Sequence, residues 1–311
     1  MPFSTPILFI IFNRPDTTQQ VFNAIRQAKP KHLFVAADGP RCNHAGEAEK
    51  CETVRAIVRQ VDWDCEVKTL FRDENLGCGR AVSSAITWFF DHVEEGIILE
   101  DDCLPHPSFF SYCQELLEYY RHNDMVMLIS GNQLAHNPIL IDDSYYFSAF
   151  SHIWGWATWR TTWQKYKFSV KDISQLFFWR CLKQYFSNKS IRRYWFWMYN
   201  MMRLKPIDTW DYQLVFSIWA NKGLTILPQK NLVSNIGFGE VATHTFNELD
   251  KNANIPTFEI GVLKHPTVFV QNKQIDETYS LNDGNVLTWV KYAYHLFRLC
   301  GRKVYEYIIR K

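Results

Sequence analysis

The chain has 311 residues, a formal net charge of +2, 47% hydrophobic residues and 21% charged ones. That is enough apolar material for a sizeable core in one domain or two, and so balanced a charge gives no global electrostatic case for a nucleic-acid binder. The eight cysteines show neither CxxC pairs nor dense regular spacing, which excludes a disulfide scaffold or zinc module and predicts reduced, mostly structural thiols.

From Met1 to Phe12 there is no basic leader and no small-residue cleavage site, and Asn13-Arg14-Pro15 interrupts the apolar run. A strand is therefore expected here rather than a signal peptide. No stretch of about 18 apolar residues occurs to span a bilayer. The expected location is cytoplasmic, with peripheral contact at the inner face of the membrane as an option. The 12 Trp and the other aromatics concentrate after residue 145, a density that suits either a bulky core or a surface meeting sugars or lipid headgroups.

In chain order, residues 7–12 predict a strand, followed by Asn13-Arg14-Pro15-Asp16 and a helix carrying Val21, Phe22, Ile25 and Ala28 at helical spacing. A second strand, 32–37, ends at Asp38-Gly39-Pro40. A helix over 47–61, a strand over 66–71, a turn at Asn75-Leu76-Gly77-Cys78-Gly79 and a helix over 80–92 follow. The strand 96–99 then delivers Glu100-Asp101-Asp102. Beyond it the pattern predicts a helix over 109–120, a strand over 126–130, short aromatic pieces from 145 and helices between 173 and 203. An edge strand over 222–227 and a terminal helix over 286–309 complete the chain. Strands alternating with helices imply parallel βαβ units in a doubly wound α/β layer, whose ligands bind at the carboxyl ends of the strands. Arg14, Asp38, Arg72 with Asp73, and Glu100 to Asp102 all fall just past such ends.

Three carboxylates handed over by a buried strand repel one another unless a cation or solvent relieves them. A divalent ion bridging a diphosphate would do so, and hard oxygen donors suit Mg2+ or Mn2+. The alternative is a solvated acidic loop ahead of the next helix. Asp38-Gly39-Pro40 is also ordinary turn chemistry, and Arg14 could pair locally with Asp16. The segment from Asn75 to Arg80 lacks a phosphate-loop signature, so Gly77 and Gly79 read as freedom to turn tightly beside a ligand. Arg72 and Asp73 read as lining of the same pocket.

The run Ile97-Ile98-Leu99-Glu100-Asp101-Asp102-Cys103-Leu104-Pro105-His106-Pro107-Ser108 resembles the DXD-type motif of GT-A fold glycosyltransferases, in the Glu-Asp-Asp form of N-acetylglucosaminyltransferase I and its bacterial relatives. The resemblance covers roughly residues 5 to 245 and takes in the other strand ends. It implies a Rossmann-like mixed sheet flanked by helices, a catalytic domain over 1–245 and a helical extension over 246–311. It further implies Arg14 on the nucleotide diphosphate, Asp38 on uracil or ribose, Glu100 and Asp101 on donor hydroxyls and Asp102 on a Mn2+ or Mg2+ ion.

In the same family a Gly-Trp segment, here Trp154-Gly155-Trp156, lies near the acceptor, and an acidic residue after Trp serves as base. Asp211 matches that position, with Asp208 as substitute and helix capping as the bland alternative. His244, a late histidine, is a metal candidate by analogy with other GT-A enzymes. The implied activity is inverting transfer from a UDP-sugar to a glycan or lipid-linked acceptor in bacterial surface-polysaccharide synthesis, with aromatics after 150 stacking on sugar faces. A sugar nucleotidyltransferase would be expected to carry a Gly-rich basic segment near the N-terminus, where only Arg14 stands. A non-catalytic glycan- or membrane-binding protein is the third reading. The terminal stripe of Trp289, Val290, Ala293, Phe297, Cys300, Val304 and Ile308, with Lys291, Arg298 and Arg302 beside it, fits either a membrane surface or packing on the domain. The basic, aromatic stretch from Arg180 to Arg203 poses the same choice.

Overall fold

The structure, a computed structural model, describes residues 3–134, 141–204, 207–239 and 250–282. The alternating first half forms β1 (Ile7–Ile11), α1 (Pro15–Ala28), β2 (His32–Ala37), α2 (Glu47–Val58), β3 (Glu66–Phe71), α3 (Cys78–His92) and β4 (Glu95–Glu100). β1 runs parallel to both β2 and β4, with Ile10 opposite Ala36 on one side and Glu100 on the other. Successive residues of β1, β2 and β4 are buried regardless of which face they occupy. Unbroken apolar runs are what a parallel sheet covered on both faces requires. β3 is the outermost strand on this side, and its half-exposed, charged sequence suits an edge.

The second half adds β5 (Cys103–Pro105), α4 (Ser108–Tyr120), β6 (Val126–Ser130), β7 (Tyr145–Ser148), β8 (Trp156–Trp159), the single turn α5 (Arg160–Trp163), α6 (Gln175–Tyr185), α7 (Lys189–Leu204), α8 (Asp211–Ala220), β9 (Leu224–Pro228), β10 (Val233–Asn235) and α9 (Lys273–Asn282). The eight-stranded sheet has the order β3-β2-β1-β4-β8-β6-β9-β7. β8 is antiparallel to both β4 and β6. The sheet is thus mixed, flanked by helices and Rossmann-like, and only its first half is the uninterrupted parallel layer that simple strand–helix alternation predicts.

The strand expected at the edge over 222–227 is interior. β9 pairs with β6 on one side, and the short, fully buried β7 covers its other side. A second, two-stranded sheet pairs β5 with β10.

The chain divides into two compact units, 1–169 with 207–271 and 170–206 with 272–311. All ten strands belong to the first unit, and α6, α7 and α9 belong to the second. The boundary predicted at 245, the histidine at 244 and the helix predicted over 286–309 lie outside the described residues. Among the described residues no two cysteines are joined by a disulfide. No helix among the described residues is long and apolar enough to cross a membrane.

The core seats β4 against α3 with no spare room. A Cβ at Gly96 would overlap the Phe89 ring and stand 2.9 Å from the Pro6 carbonyl oxygen. Gly96→Ala is therefore expected to destabilise the protein by about 1–3 kcal/mol through overpacking, read as a lower midpoint of denaturant unfolding at unchanged slope. An unchanged midpoint would show that the strand and helix relax freely.

Candidate functional site

Register alone gathers the predicted residues. Ile11 lies opposite Ala37, and Ala37 lies opposite Phe71, so Phe12, Asp38 and Arg72 follow one another along the carboxyl edge of the sheet. On the other side of β1, the Phe12 N–H donates to Asp101 Oδ2 at 3.0 Å, which extends the β1–β4 ladder with a side-chain acceptor. Pro15 occupies the start of α1, where a missing N–H costs nothing. Arg14 is consequently the N-cap residue, its carbonyl taking the Thr18 N–H at 3.0 Å and hydroxyl at 2.6 Å.

The Arg14 side chain turns to the acidic triplet. Its Nη1 donates to Asp102 Oδ2 at 2.6 Å and lies 3.8 Å from Asp101 Oδ1. The local pair with Asp16 does not form, and Asp16 is exposed. Gly237, just past β10, is packed so closely that a Cβ there would overlap both the Asp102 carboxylate and the Arg14 guanidinium.

These groups line a cavity of about 180 Å3. Arg14, Asp38, Arg72, Gly77, Glu100 and Asp101 are all in its wall. Asp102 joins through Arg14. Asp73 is exposed and outside the lining.

Asp38 accepts the Leu76 N–H with both oxygens, at 3.1 and 3.0 Å, and Asn75 Nδ2 donates to the Gly39 carbonyl at 2.9 Å. The turns after β2 and β3 are thereby tied together, so Asp38 is more than turn chemistry. Burial pushes its carboxyl up despite these N–H donors and Arg72. Arg72, lowered by burial, donates to Ser84 at 2.8 Å.

The first N–H groups of α3 are taken by a residue far along the chain. Asp208 accepts from Cys78 N at 3.1 Å and from Gly79 N at 2.9 Å. Gly77 has φ of 78°, and a Cβ on it would stand 2.6 Å from Asp208 Oδ2, so both its backbone and the close approach demand glycine. Asp208, weighed from the sequence as a substitute base, is a distant cap in the structure. Asp211 opens α8 and takes the Thr209 hydroxyl and the Tyr212 N–H, at 2.8 Å for the latter, on Oδ1 alone. It does not cap the helix as an N-cap residue does, for Trp210 holds that position. Asp211 is not among the residues lining the cavity; burial first, and then its charge among others, raises Glu100, Cys78 and Tyr166.

Sequence reasoning missed Phe12, Arg41, Asn75 and Cys78 in the cavity wall. Arg41 is held by Glu47, whose Oε1 accepts its Nη2 at 2.6 Å and whose Oε2 accepts its N–H at 2.7 Å. Burial alone would raise Glu47, but Arg41 and Asn13 outweigh it and hold the carboxyl at about 2. A basic residue six positions before an acid at a helix start was the available signal. Several of the aromatics expected on sugar faces are core. Trp156, Trp159, Trp163, Trp210 and Trp219 are buried, and Trp156 stacks on Trp210 with centroids 5.7 Å apart. Trp154 remains half-buried, edge-on to Phe238.

The electrostatics are those of an under-compensated anion. Burial, with repulsion from Asp102 and Asp101, pushes Glu100 well above the ordinary carboxylate range, against the pull of Arg14. Asp101 is raised by burial and by Asp102, again against Arg14. Burial would lower Arg14, but the carboxylates raise it. One guanidinium thus faces three carboxyl groups, while its buried Nε has no hydrogen-bond partner among the described residues. This donor set suits a hard divalent cation together with an anion bringing oxygen acceptors. Among the described residues no three His, Cys, Asp or Glu groups converge as a ready cage. Mg2+ commonly needs none, binding through one or two carboxylates, substrate phosphates and water.

No family model matches the chain, and no curated protein matches its sequence. Similar solved structures include HddC from Yersinia pseudotuberculosis, with 9% identity and a TM-score of 0.31 over 50% of this chain and 77% of that one. A cytidylyltransferase from Leptospira borgpetersenii serovar Hardjo-bovis has 12% identity and a TM-score of 0.33 over 54% of this chain and 64% of its own, just under two thirds. A UDP-glucose pyrophosphorylase complexed with UDP-glucose has 10% identity and a TM-score of 0.37, covering 75% of this chain and 93% of that one.

A carboxyl whose folded value is raised destabilises the folded state once the pH exceeds its unfolded value, 4.5 for Glu. Glu100→Gln is expected to raise the thermal midpoint at pH 8 and to lose that advantage at pH 4. An advantage that does not depend on pH would mean that Glu100 is not held against its charge.

Proposed function

We propose that the chain is a divalent-metal-dependent, inverting glycosyltransferase that moves a sugar from a UDP-sugar to a hydroxyl of a glycan or lipid-linked saccharide. The observation that carries this reading is the cavity at the carboxyl ends of β1, β2, β3 and β4, where Arg14 and Arg72 face Asp38, Glu100 and Asp101. Two arginines suit a diphosphate. The buried Asp38 suits a polar edge of the base or ribose, and Glu100 with Asp101 suits sugar hydroxyls. The GT-A likeness of the Glu-Asp-Asp run supports the same assignment.

In the transfer, the acceptor oxygen attacks the anomeric carbon as the bond from that carbon to the diphosphate oxygen breaks. UDP leaves with the bonding pair, and the acceptor proton must go to a base. Asp211 is suited to receive it at Oδ2, since Oδ1 already accepts two hydrogen bonds that fix the carboxylate. Arg14, with its unsatisfied Nε, and Arg72 would bind and orient the phosphates. A Mg2+ or Mn2+ ion held by Asp102 would supply further neutralisation of the leaving diphosphate. Gly77 lets the backbone turn closely beside the donor.

Purified protein with Mn2+ and a panel of nucleotide sugars is expected to release UDP from one of them. Asp211→Asn should lower that turnover by about 100-fold or more while UDP still binds; Asp102→Asn should lower both turnover and metal-dependent UDP binding. Unchanged turnover in both variants would sink the mechanism. Pyrophosphate formed from UTP and a sugar phosphate, with no transfer, would assign the cavity to nucleotidyl transfer instead.

A further inference from the structure

The second compact unit carries a surface unlike the cavity just described. In it α6 and α7 bury Phe178, Leu182, Tyr185, Ile191, Tyr194 and Tyr199, with Phe178 stacked on Tyr199 at 4.1 Å. Among the described residues, a different face of the same two helices stays uncovered. Leu176 and Trp179 of α6, with Arg193, Phe196 and Trp197 of α7, line a groove of about 740 Å3. Leu176 is 63% exposed, the adjacent Phe177 43% and Trp197 41%. Large apolar side chains clustered in this way mark a contact surface.

The charge around this groove identifies what it meets. Between residues 170 and 206 there are eight lysines and arginines against one acid, Asp172. Arg193 lines the groove, the Lys183 ammonium lies 5.8 Å over the Trp179 ring, and Arg180 and Lys189 are exposed. The acids of α9 do not cancel this field at the groove. Glu277 accepts the Ser187 and Asn188 N–H groups at 2.5 and 3.0 Å, and Asp276 is buried.

We infer that this face docks on an anionic lipid bilayer, with Leu176, Phe177 and Trp197 entering the headgroup region and Lys183 and Arg193 meeting lipid phosphates. Indole and phenyl rings favour that boundary, and each nearby lysine or arginine adds to the attraction. A saccharide is the other occupant an aromatic groove suggests, but it needs polar partners for its hydroxyls. Here the two amides are partly engaged with each other and with the backbone: Gln175 Nε2 donates to Asn200 Oδ1, and Asn200 Nδ2 donates to the Phe196 carbonyl at 2.7 Å. Among the described residues no carboxylate lines the groove. This inference does not depend on the transferase reading, because none of its residues belongs to the cavity.

Co-sedimentation of the full chain with vesicles tests it, using phosphatidylcholine alone and phosphatidylcholine mixed with phosphatidylglycerol. Partition onto the anionic vesicles is expected to exceed that onto neutral ones by about tenfold or more and to fall at high salt. The double variant Lys183→Gln with Arg193→Gln should lose most of that excess. Leu176→Gln with Trp197→Gln should weaken binding by about tenfold and remove the blue shift of tryptophan emission. All four side chains are at the surface, so the variants should keep the circular dichroism of the parent. Equal partition on both vesicle types, or binding undiminished in both variants, would overturn the inference. Quenching of tryptophan emission by a soluble oligosaccharide, with no vesicle binding, would assign the groove to a glycan and overturn it as well.

Discussion

The guanidinium of Arg14 stands against Asp101 and Asp102 with Glu100 behind them, and the arrangement around the cavity depends on that contact. One positive charge cannot balance three adjacent carboxyl groups, of which Asp101 is buried and Glu100 and Asp102 are half-buried. Burial first, and mutual repulsion after it, leaves Glu100 and Asp101 raised, while Arg14 Nε has no hydrogen-bond partner among the described residues. A stable protein has no reason to assemble such a cluster for packing alone. A ligand that brings both a cation and anionic oxygens would resolve the two deficits together, and on that ground a nucleotide diphosphate with its metal is the occupant proposed for this site.

The contact exists because the backbone compels it. Pairing of β1 with β4 brings residues 12–14 beside residues 101–102, and Pro15 stops the strand and starts α1 so that Arg14 cannot continue outward. On the other side of β1 the same register aligns Asp38 and Arg72. From below, β10 pairs with β5 and brings Gly237 against Asp102 and Arg14. Asp208 reaches across to fasten the start of α3. The walls therefore come from segments widely separated in sequence, while the first-half strand ends supply most of the charge.

This division explains what could be read in advance. β2, β3 and β6 match their predicted limits: β2 and β6 because apolar runs ended by turn residues leave little ambiguity, and β3 because Val67, Thr69 and Phe71 alternate with charged and longer side chains before a turn. Arg14, Asp38, Arg72 and the acidic triplet were legible as strand ends. β7 and β8 were not, because four-residue aromatic strands buried throughout lack both periodicity and length; hence the edge assigned to 222–227 and the missing antiparallel insertion. The capping role of Asp208 was invisible for another reason: its partners lie about 130 residues away. The tryptophans after residue 150 were countable in the sequence, but whether each faces core or solvent is a property of packing: Trp156, Trp159, Trp163, Trp210 and Trp219 face the core, whereas Trp197 is exposed.

Calorimetric titration of UDP into the protein, with and without Mn2+, tests the charge balance most directly. Binding should tighten by about tenfold or more with Mn2+ and weaken by a similar factor in Arg14→Ala, the loss expected for charge-assisted hydrogen bonds to a phosphate. UDP affinity indifferent to both Mn2+ and Arg14 would contradict the account, because the cluster would then be balanced without the ligand.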